Sequence, residues 1–345
     1  MMDKENSMHT IATEKFNRVN PKDTEVIEKI AAPSLTYAQD SWRRLRQNKV
    51  AMISLVLLLI IAIIAMFAPI FAPYHYAQQR PSFANLPPKI PGLEDISLFN
   101  GIGRVGGNMV DRYAQAAVPE NQYFYLGTDV LGRDLLSRII YGTRISIFIG
   151  ICAALFNLFL GVPYGLIAGW MGGKVDNVMM RFLEILSGVP NLVVVILLLL
   201  ILEPGLTSII IALGLTEWIA MARVVRAQTL RLKSQEYVLA ARSLGETSFK
   251  ISIKHLLPNM SGTIIIQTIY SIPSAIFFEA FLSFIGLGVP APYASLGTLI
   301  NDGYPTFQFL PHLMWYPAAM ISLILIAFNM FANGLRDALD PRTID

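Results

Sequence analysis

Six long apolar blocks dominate this sequence and decide what it can fold into. They cover residues 50–67, 145–170, 182–202, 206–225, 264–285 and 315–331. A helix needs about 20 predominantly apolar residues to cross the hydrocarbon core of a bilayer. With 54% hydrophobic and only 15% charged residues, the chain also departs from the composition of soluble domains. We therefore expect an all-α integral membrane protein with six transmembrane helices, surrounded by membrane lipid.

The distribution of Lys and Arg predicts the orientation of these helices, because both residues favour the cytoplasmic ends of membrane spans. Segment 43–49 carries four of them, 171–181 two and 223–262 seven, whereas 203–205 and 286–314 carry none. We expect both termini in the cytoplasm and a multi-pass protein of the cell membrane.

Changes in composition divide the chain into five predicted segments. The first is a cytoplasmic tail at 1–40, with a short helix at 23–30, and the second is a first transmembrane helix with a basic collar at 41–68. An external loop follows at 69–142. The fourth segment is a core of five transmembrane helices at 143–335, which includes a cytoplasmic loop at 226–262, and the fifth is a cytoplasmic tail at 336–345. Closely spaced prolines predict little regular structure in the first part of the external loop. Its end shows helical spacing after Asp129, which predicts an interfacial amphipathic helix capped by that residue.

The cytoplasmic loop 226–262 has the clearest local signals in the chain. Ser234 is placed to cap a helix that Gly245 ends. A second short helix is predicted from Thr247, with Pro258 as its stop. Phe249 is expected to project from this loop as a knob that fills a pocket of another protein.

The same loop resembles a known family of transport proteins. Leu239-Ala240-Ala241, Gly245 and Leu257-Pro258 have the spacing of the "EAA…G…LP" loop found in permease subunits of binding-protein-dependent ABC importers. The sequence departs from that pattern at Leu239, where the family usually has glutamate, and at His255, where isoleucine is common. The predicted helix, turn, helix geometry does not depend on these two positions.

Three further stretches narrow the resemblance. Residues 126–134, 278–290 and 334–342 are similar to segments of the C-type permease of oligopeptide, dipeptide and nickel importers. The similarity covers approximately residues 35–345. It implies the type I ABC importer permease fold and a non-catalytic subunit that forms half of a translocation pore.

The resemblance also implies partners and site residues. The expected partners are a homologous B-type permease, two ATP-binding subunits that carry ATP and Mg, an extracellular solute-binding protein and a peptide substrate, with an oligopeptide favoured and no nucleic acid. This chain itself would hold no cofactor. The residues expected to couple to the ATPase are Ala240, Ala241, Gly245, Glu246, Thr247, Ser248, Phe249 and Pro258.

Polar side chains within the apolar blocks are candidates for the transport path. Glu279, Asn191 and Gln267 are predicted to line the pore, with hydrogen bonding between helices as the alternative role. Three glutamates are costly in lipid and are expected to face protein or water, namely Glu279, Glu184 and Glu217. Arg181 lies one turn before Glu184 and is its expected partner.

Other motifs are weaker and point to no second activity. Residues 101–106 satisfy G-x-G-x-x-G, but no strand is predicted before them, so a dinucleotide site is not expected. Gly173-Lys174 lacks the first glycine and the Ser or Thr of an ATP-binding loop. Scattered histidines and the single Cys152 predict no metal site and no intrachain disulfide.

Three alternatives to an oligopeptide importer subunit follow from the sequence. A dipeptide or nickel importer permease would share the same motifs. A secondary transporter acting alone would need inverted repeats and embedded charges, of which only a few glutamates are found. A membrane enzyme would need a catalytic constellation, for which no residues present themselves.

Overall fold

The computed structural model describes residues 36–203 and 205–339. The chain divides into two compact units after Arg43. In the first unit the structure describes residues 36–43. Helix α1, Tyr37–Gln47, begins among them, so regular structure starts within the predicted tail 1–40. The helix predicted at 23–30 lies outside the described residues.

The second unit is mostly helical. Its helices are α2 (Lys49–Met66), α3 (Ala68–Phe71), α4 (Arg112–Gln115), α5 (Leu135–Phe156), α6 (Val162–Met171), α7 (Gly173–Gly188), α8 (Asn191–Ile201), α9 (Leu206–Leu232), α10 (Glu236–Ser243), α11 (Ser248–Ile251), α12 (Leu257–Leu282), α13 (Leu296–Gly303) and α14 (His312–Leu339). Single π-helical turns at Asn157–Gly161 and Ser252–Leu256 join α5 to α6 and α11 to α12, and another at Ser283–Leu287 follows α12.

The predicted membrane spans correspond to helices in the structure. Among the described residues, five continuous helices are long and apolar enough to cross a membrane, and the pair α7 and α8 makes a sixth if it counts as one bent span. The third predicted span, 182–202, is not one continuous helix, because α7 and α8 meet at an angle of 81°. Val189, which precedes Pro190, is extended with φ −95° and ψ 131°. A residue before proline is driven out of the helical region by the proline ring, which accounts for the break.

The external segment contains a β-hairpin that the sequence analysis did not predict. Strands β1 (Ile102–Val105) and β2 (Asn108–Asp111) pair antiparallel, with Ile102 opposite Asp111. Gly106 and Gly107 both have positive φ in the connecting turn, as a tight two-residue hairpin requires. The G-x-G-x-x-G run therefore forms a strand and its turn, and the fold is not strictly all-α.

The interfacial helix predicted from Asp129 is also absent from the described residues. Helix α5 begins at Leu135 and runs directly into a membrane span, and its cap is Asp134, whose carboxylate accepts the Ser137 N–H at 2.8 Å. Burial, the largest cause, raises the pKa of Asp134 to about 6. Residues 129–134 form turns, because the Asp129 side chain binds within its own loop and is not free to cap a helix.

Asp129 is the centre of a buried charge network that closes this loop. Its Oδ2 atom accepts hydrogen bonds from Arg133 Nε at 2.6 Å and from Arg138 Nη1 at 2.7 Å. Arg138 Nη1 also lies 3.1 Å from Asp302 Oδ2 in α13. The network joins the start of α5 to α13, although those residues are far apart in sequence.

A glycine face on α6 and on the end of the π turn before it lets two spans approach closely. Gly161, Gly165 and Gly169 recur every four residues and lie against α9. A Cβ at Gly161 would lie 2.6 Å from Met221 Cβ, and one at Gly169 would lie 2.6 Å from Thr229 Cβ. In lipid, where no hydrophobic force draws apolar helices together, small residues allow the close packing that holds spans in contact.

Replacing Gly165 by alanine should destabilise this helix pair. The added methyl would meet the backbone of Ala222 and Arg226, and overpacking of this kind costs about 1–3 kcal/mol. We expect a lower thermal unfolding temperature and a lower yield in detergent. Gly188→Ala is the control, because no atom lies within 4 Å of its added Cβ; equal melting of both variants would contradict this account.

Candidate functional site

A compact segment that runs from the end of α9 to the start of α12 contains most of the residues that the sequence predicts to act on a partner. Helix α9 ends at Leu232, α10 occupies Glu236–Ser243, and α11 begins at Ser248. Only a few residues separate these helices, so the loop is structured throughout. We refer to residues 233–257 as the coupling loop.

Gly245 ends α10 as the sequence predicts. The Gly245 N–H donates to the Arg242 carbonyl at 3.1 Å, and the Glu246 N–H donates to the Ala241 carbonyl at 3.1 Å. This pair of bonds is a Schellman motif, which requires a left-handed residue at the position that Gly245 occupies with φ +82°. Glycine takes this conformation without the strain of a Cβ atom.

The predicted cap at the start of α10 is wrong. Gln235 stands at the N-cap with extended backbone, and it makes no side-chain capping bond. The Ser234 hydroxyl donates instead to the Arg231 carbonyl at 3.0 Å, at the end of α9. Ser234 therefore satisfies the end of one helix and not the beginning of the next.

Thr247 begins the second helix as predicted, but Pro258 does not stop it. Thr247 Oγ1 accepts the Lys250 N–H at 3.4 Å. The helix then continues through the π turn Ser252–Leu256 into α12, so that residues 248–282 form one continuous rod. Pro258 falls in the first turn of α12, where its missing N–H and its ring are tolerated because the π turn has reset the hydrogen-bonding pattern.

One side of the coupling loop is anchored in the protein. Val238, Ala241, Ile251 and Leu256 are buried, and they belong to a single apolar cluster with side chains of α6, α9 and α12. The residues of those helices in the cluster are Val162, Met221, Val225, Leu232, Met260 and Ile264. The loop is therefore packed against the ends of three spans.

The opposite side of the loop is apolar and open. Leu244 is 85% exposed and Phe249 77% exposed, and Tyr237 and Leu239 are exposed as well. Ala240 lies on the same exposed side, whereas Ala241 is buried. Phe249 and Leu239 also border a groove of about 1160 Å³ between the loop and α6.

Glu246 links the turn to the second helix by charge. His255 Nε2 donates to its carboxylate at 2.7 Å, and Lys250 Nζ and Lys254 Nζ lie 3.5 and 3.6 Å away. The hydrogen bond from His255 is the largest cause that lowers the pKa of Glu246 below its usual value of 4.5. The sequence reasoning missed this pair, because it treated His255 only as a departure from the family pattern.

The predicted pore-lining residues lie in different environments. Glu279 has no exposed surface, and its carboxylate accepts hydrogen bonds from Ser146 at 3.0 Å and Ser283 at 2.6 Å. It therefore lies on no open surface of this chain. Asn191 is exposed and Gln267 is half-buried, and their place on the path stays a prediction.

Two ion pairs occupy the helices near the coupling loop. Arg181 pairs with Glu184 at 2.8 Å, as the sequence predicts, and both side chains are exposed. Arg226 binds Asp176 with both carboxylate oxygens, one of them at 2.6 Å from Nη2, and so joins α9 to α7. Sequence spacing gave no signal for this second pair, because fifty positions separate the two residues. Among the described residues, no group of three or more His, Cys, Asp or Glu side chains is arranged to hold a metal.

Two family models match the chain. Residues 161–345 match the model described as binding-protein-dependent transport system inner membrane component. Residues 36–88 match the model described as the N-terminal TM domain of oligopeptide transport permease C.

Curated relatives match over nearly the whole chain. The dipeptide transport system permease protein DppC of Lactococcus lactis subsp. cremoris (strain MG1363) is 45% identical over 95% of this chain and 97% of its own length. The oligopeptide transport system permease protein OppC of Bacillus subtilis (strain 168) is 42% identical over 91% of this chain and 93% of its own length.

A solved structure shares the fold. A chain from the inward-facing MetNI methionine ABC transporter superposes with a TM-score of 0.50 and 16% identity, over 60% of this chain and 98% of its own length. At this identity the similarity concerns the fold alone. It agrees with the predicted type I ABC importer permease fold.

Acidification should loosen the turn that contains Glu246. A carboxyl group whose pKa is lowered on folding stabilises the fold above its unfolded pKa, near 4.5, and this contribution is lost as pH falls through the lower folded value. We expect amide exchange at 244–249, corrected for intrinsic rates, to accelerate between pH 6 and pH 3 in the wild type. Glu246→Gln should exchange faster already at pH 6 with a weaker pH dependence, whereas Glu236→Gln, an exposed control in α10, should match the wild type.

Identical exchange profiles in the wild type and Glu246→Gln at every pH would show that these charges do not hold the turn.

Proposed function

Because the chain belongs to the family of inner membrane components of binding-protein-dependent transport systems, as a permease subunit of a peptide ABC importer, we propose that its coupling loop docks on an ATPase subunit. The observation that carries this proposal is the difference between the two faces of the loop. One face is fixed to three spans, and the other presents Leu244 and Phe249 with no cover from the described residues of this chain.

The exposed face supports a protein partner and not lipid. Lys250 and Lys254 flank Phe249 and Ile253 on the second helix, and Glu246 lies at the turn between the helices. A mixed apolar and charged surface of this kind fits a pocket with a polar rim. Burial of one large apolar side chain contributes about 1.5–3 kcal/mol, so Leu244 and Phe249 suffice as anchors for a reversible contact.

The loop is placed on the cytoplasmic side in this proposal. Segment 223–262 is the richest in Lys and Arg, and these residues favour the cytoplasmic ends of spans. With the two termini on the same side, ATPase subunits in the cytosol would reach the loop directly.

The complete importer would contain further subunits. We infer a homologous B-type permease that forms the other half of the pore, two ATP-binding subunits that hold ATP and Mg, and an extracellular solute-binding protein. This chain would carry no ATP site and no catalytic residue of its own. The contact with the ATPase would be shaped by Glu246, Thr247 and Ser248. The small residues Ala240 and Gly245 would permit the ATPase to approach closely.

The cargo is proposed to be a peptide. An oligopeptide is our first assignment and a dipeptide the alternative, because the named relatives include both kinds of permease at similar identity. A nickel importer permease would share the sequence motifs but is favoured by neither relative.

The geometry suggests how ATP binding would move the pore. Helix α9 leads into the loop at Leu232, and the rod 248–282 leads out of it. A displacement of the loop would therefore be transmitted to two spans without an intervening flexible segment. Such coupling requires that docking have different free energies in the two states of the ATPases.

Removing the aromatic knob should uncouple uptake from ATP. Phe249→Ala deletes an anchor worth about 1.5–3 kcal/mol, so we expect ATP-driven peptide uptake by the reconstituted importer to fall about 10-fold or more. Gly245→Val should have a similar effect, since a side chain in the left-handed region costs about 1–2 kcal/mol. Phe309→Ala is the control, because Phe309 is 83% exposed and lies outside the loop.

Co-purification of the ATPase subunits with each variant separates lost docking from lost expression. Normal ATP-driven uptake by Phe249→Ala and Gly245→Val would contradict the proposal. Uptake by the purified chain without any ATPase would favour the secondary transporter instead.

A further inference from the structure

Glu217 differs from the other two glutamates that the sequence marks as costly in lipid. Glu184 is exposed and paired with Arg181. Glu279 is completely buried, and serine hydroxyls satisfy both of its carboxylate oxygens. Glu217 lies near the middle of α9, is only partly buried, and has no hydrogen-bond or ion-pair partner among the described residues.

An unpaired carboxylate at this depth needs water or a cation. An acidic residue at the centre of a spanning helix is unfavourable when it faces lipid. Such residues commonly mark a substrate path. Glu217 is therefore a candidate for a contact that forms with something absent from the isolated chain.

The surface next to Glu217 has room for a passing molecule. Helical spacing places Ala220, Val224, Ala227 and Arg231 on the same side of α9, towards the coupling loop. Ala220, Ala227 and Arg231 are exposed, and Val224 is half-buried. The small alanine side chains leave this strip open.

We propose that Glu217 binds the N-terminal ammonium group of a peptide in transit. This inference rests on the proposed function, since it takes a peptide as the cargo. Peptides differ in every side chain, but each with a free amino terminus carries one ammonium group. A fixed carboxylate can therefore recognise peptides of different sequence by that shared group, through a charge-assisted hydrogen bond.

The position of Glu217 links this contact to the coupling loop. Helix α9 is continuous from Leu206 to Leu232, and the loop follows directly. A peptide held at Glu217 is thus bound to the same helix whose end packs against Val238 and Leu256. A peptide that shifts α9 when it binds at Glu217 would therefore shift the coupling loop as well.

The test is a double-mutant cycle between Glu217 and the peptide ammonium. The complete importer, with both permeases, the ATPases and the solute-binding protein, is reconstituted in vesicles with wild-type chain or Glu217→Gln. ATP-driven uptake is measured for trialanine and for propionyl-dialanine, in which hydrogen replaces the ammonium group. Any preference of the solute-binding protein enters both ratios and cancels in the cycle.

We expect Glu217→Gln to lower the ratio of trialanine to propionyl-dialanine uptake about 10-fold, because the neutral amide loses the charge-assisted hydrogen bond to the ammonium group. Glu217→Asp keeps the charge and should retain part of the preference. It also keeps the test informative if the glutamine variant assembles poorly. Glu184→Gln is the matched control, because it removes an exposed, paired carboxylate and should leave the ratio unchanged.

An unchanged ratio in Glu217→Gln would overturn the inference. If the uptake of both peptides is normal, Glu217 takes no part in transport. If the uptake of both peptides falls by the same factor, Glu217 pairs with the neighbouring permease and not with the cargo. Failure of the proposed function is distinct, because uptake would then be insensitive to ATP or to Phe249→Ala in the wild-type background.

Discussion

Hydrocarbon offers no hydrogen bonds, so each polar group that this chain carries into the membrane needs a partner in protein or water. The helices satisfy their own backbones, and the side chains follow the same requirement. Ser146 and Ser283 saturate the buried Glu279, and Arg226 binds Asp176 with both of its oxygens. The pairs Ser146 with Glu279 and Arg226 with Asp176 join helices that are far apart in the sequence. Glu217 differs from these acidic side chains, because it has no such partner among the described residues.

The same requirement explains which parts of the fold the sequence predicts well. A span must be long and apolar whatever it packs against, so composition alone locates all six blocks. The Schellman turn at Gly245 and the pair of Arg181 with Glu184 are also local, since each depends on residues within one or two helical turns. Periodicity and glycine placement contain that information directly.

The errors arise where distant groups decide the outcome. Asp129 has the spacing of a helix cap, but Arg133 and Arg138 hold it in a turn, with Asp302 contributing from α13. Pro258 has the appearance of a stop, but a π turn allows the helix to pass through it. A single sequence shows the candidates for each role, but not the competition among them.

Passage through Pro258 matters most for function, because it removes the helix end that the sequence analysis placed there. A helix that ended there would leave the coupling loop joined to the next span by flexible backbone. The rod 248–282 instead joins the loop directly to the buried Glu279. Helix α9 does the same on the other side of the loop. If a ligand at Glu217 changes the position of α9, linkage requires that an ATPase docked on the loop change the affinity of Glu217 for that ligand by the same factor. A loop with stiff connections on both sides therefore allows the motor and the cargo to influence each other in both directions.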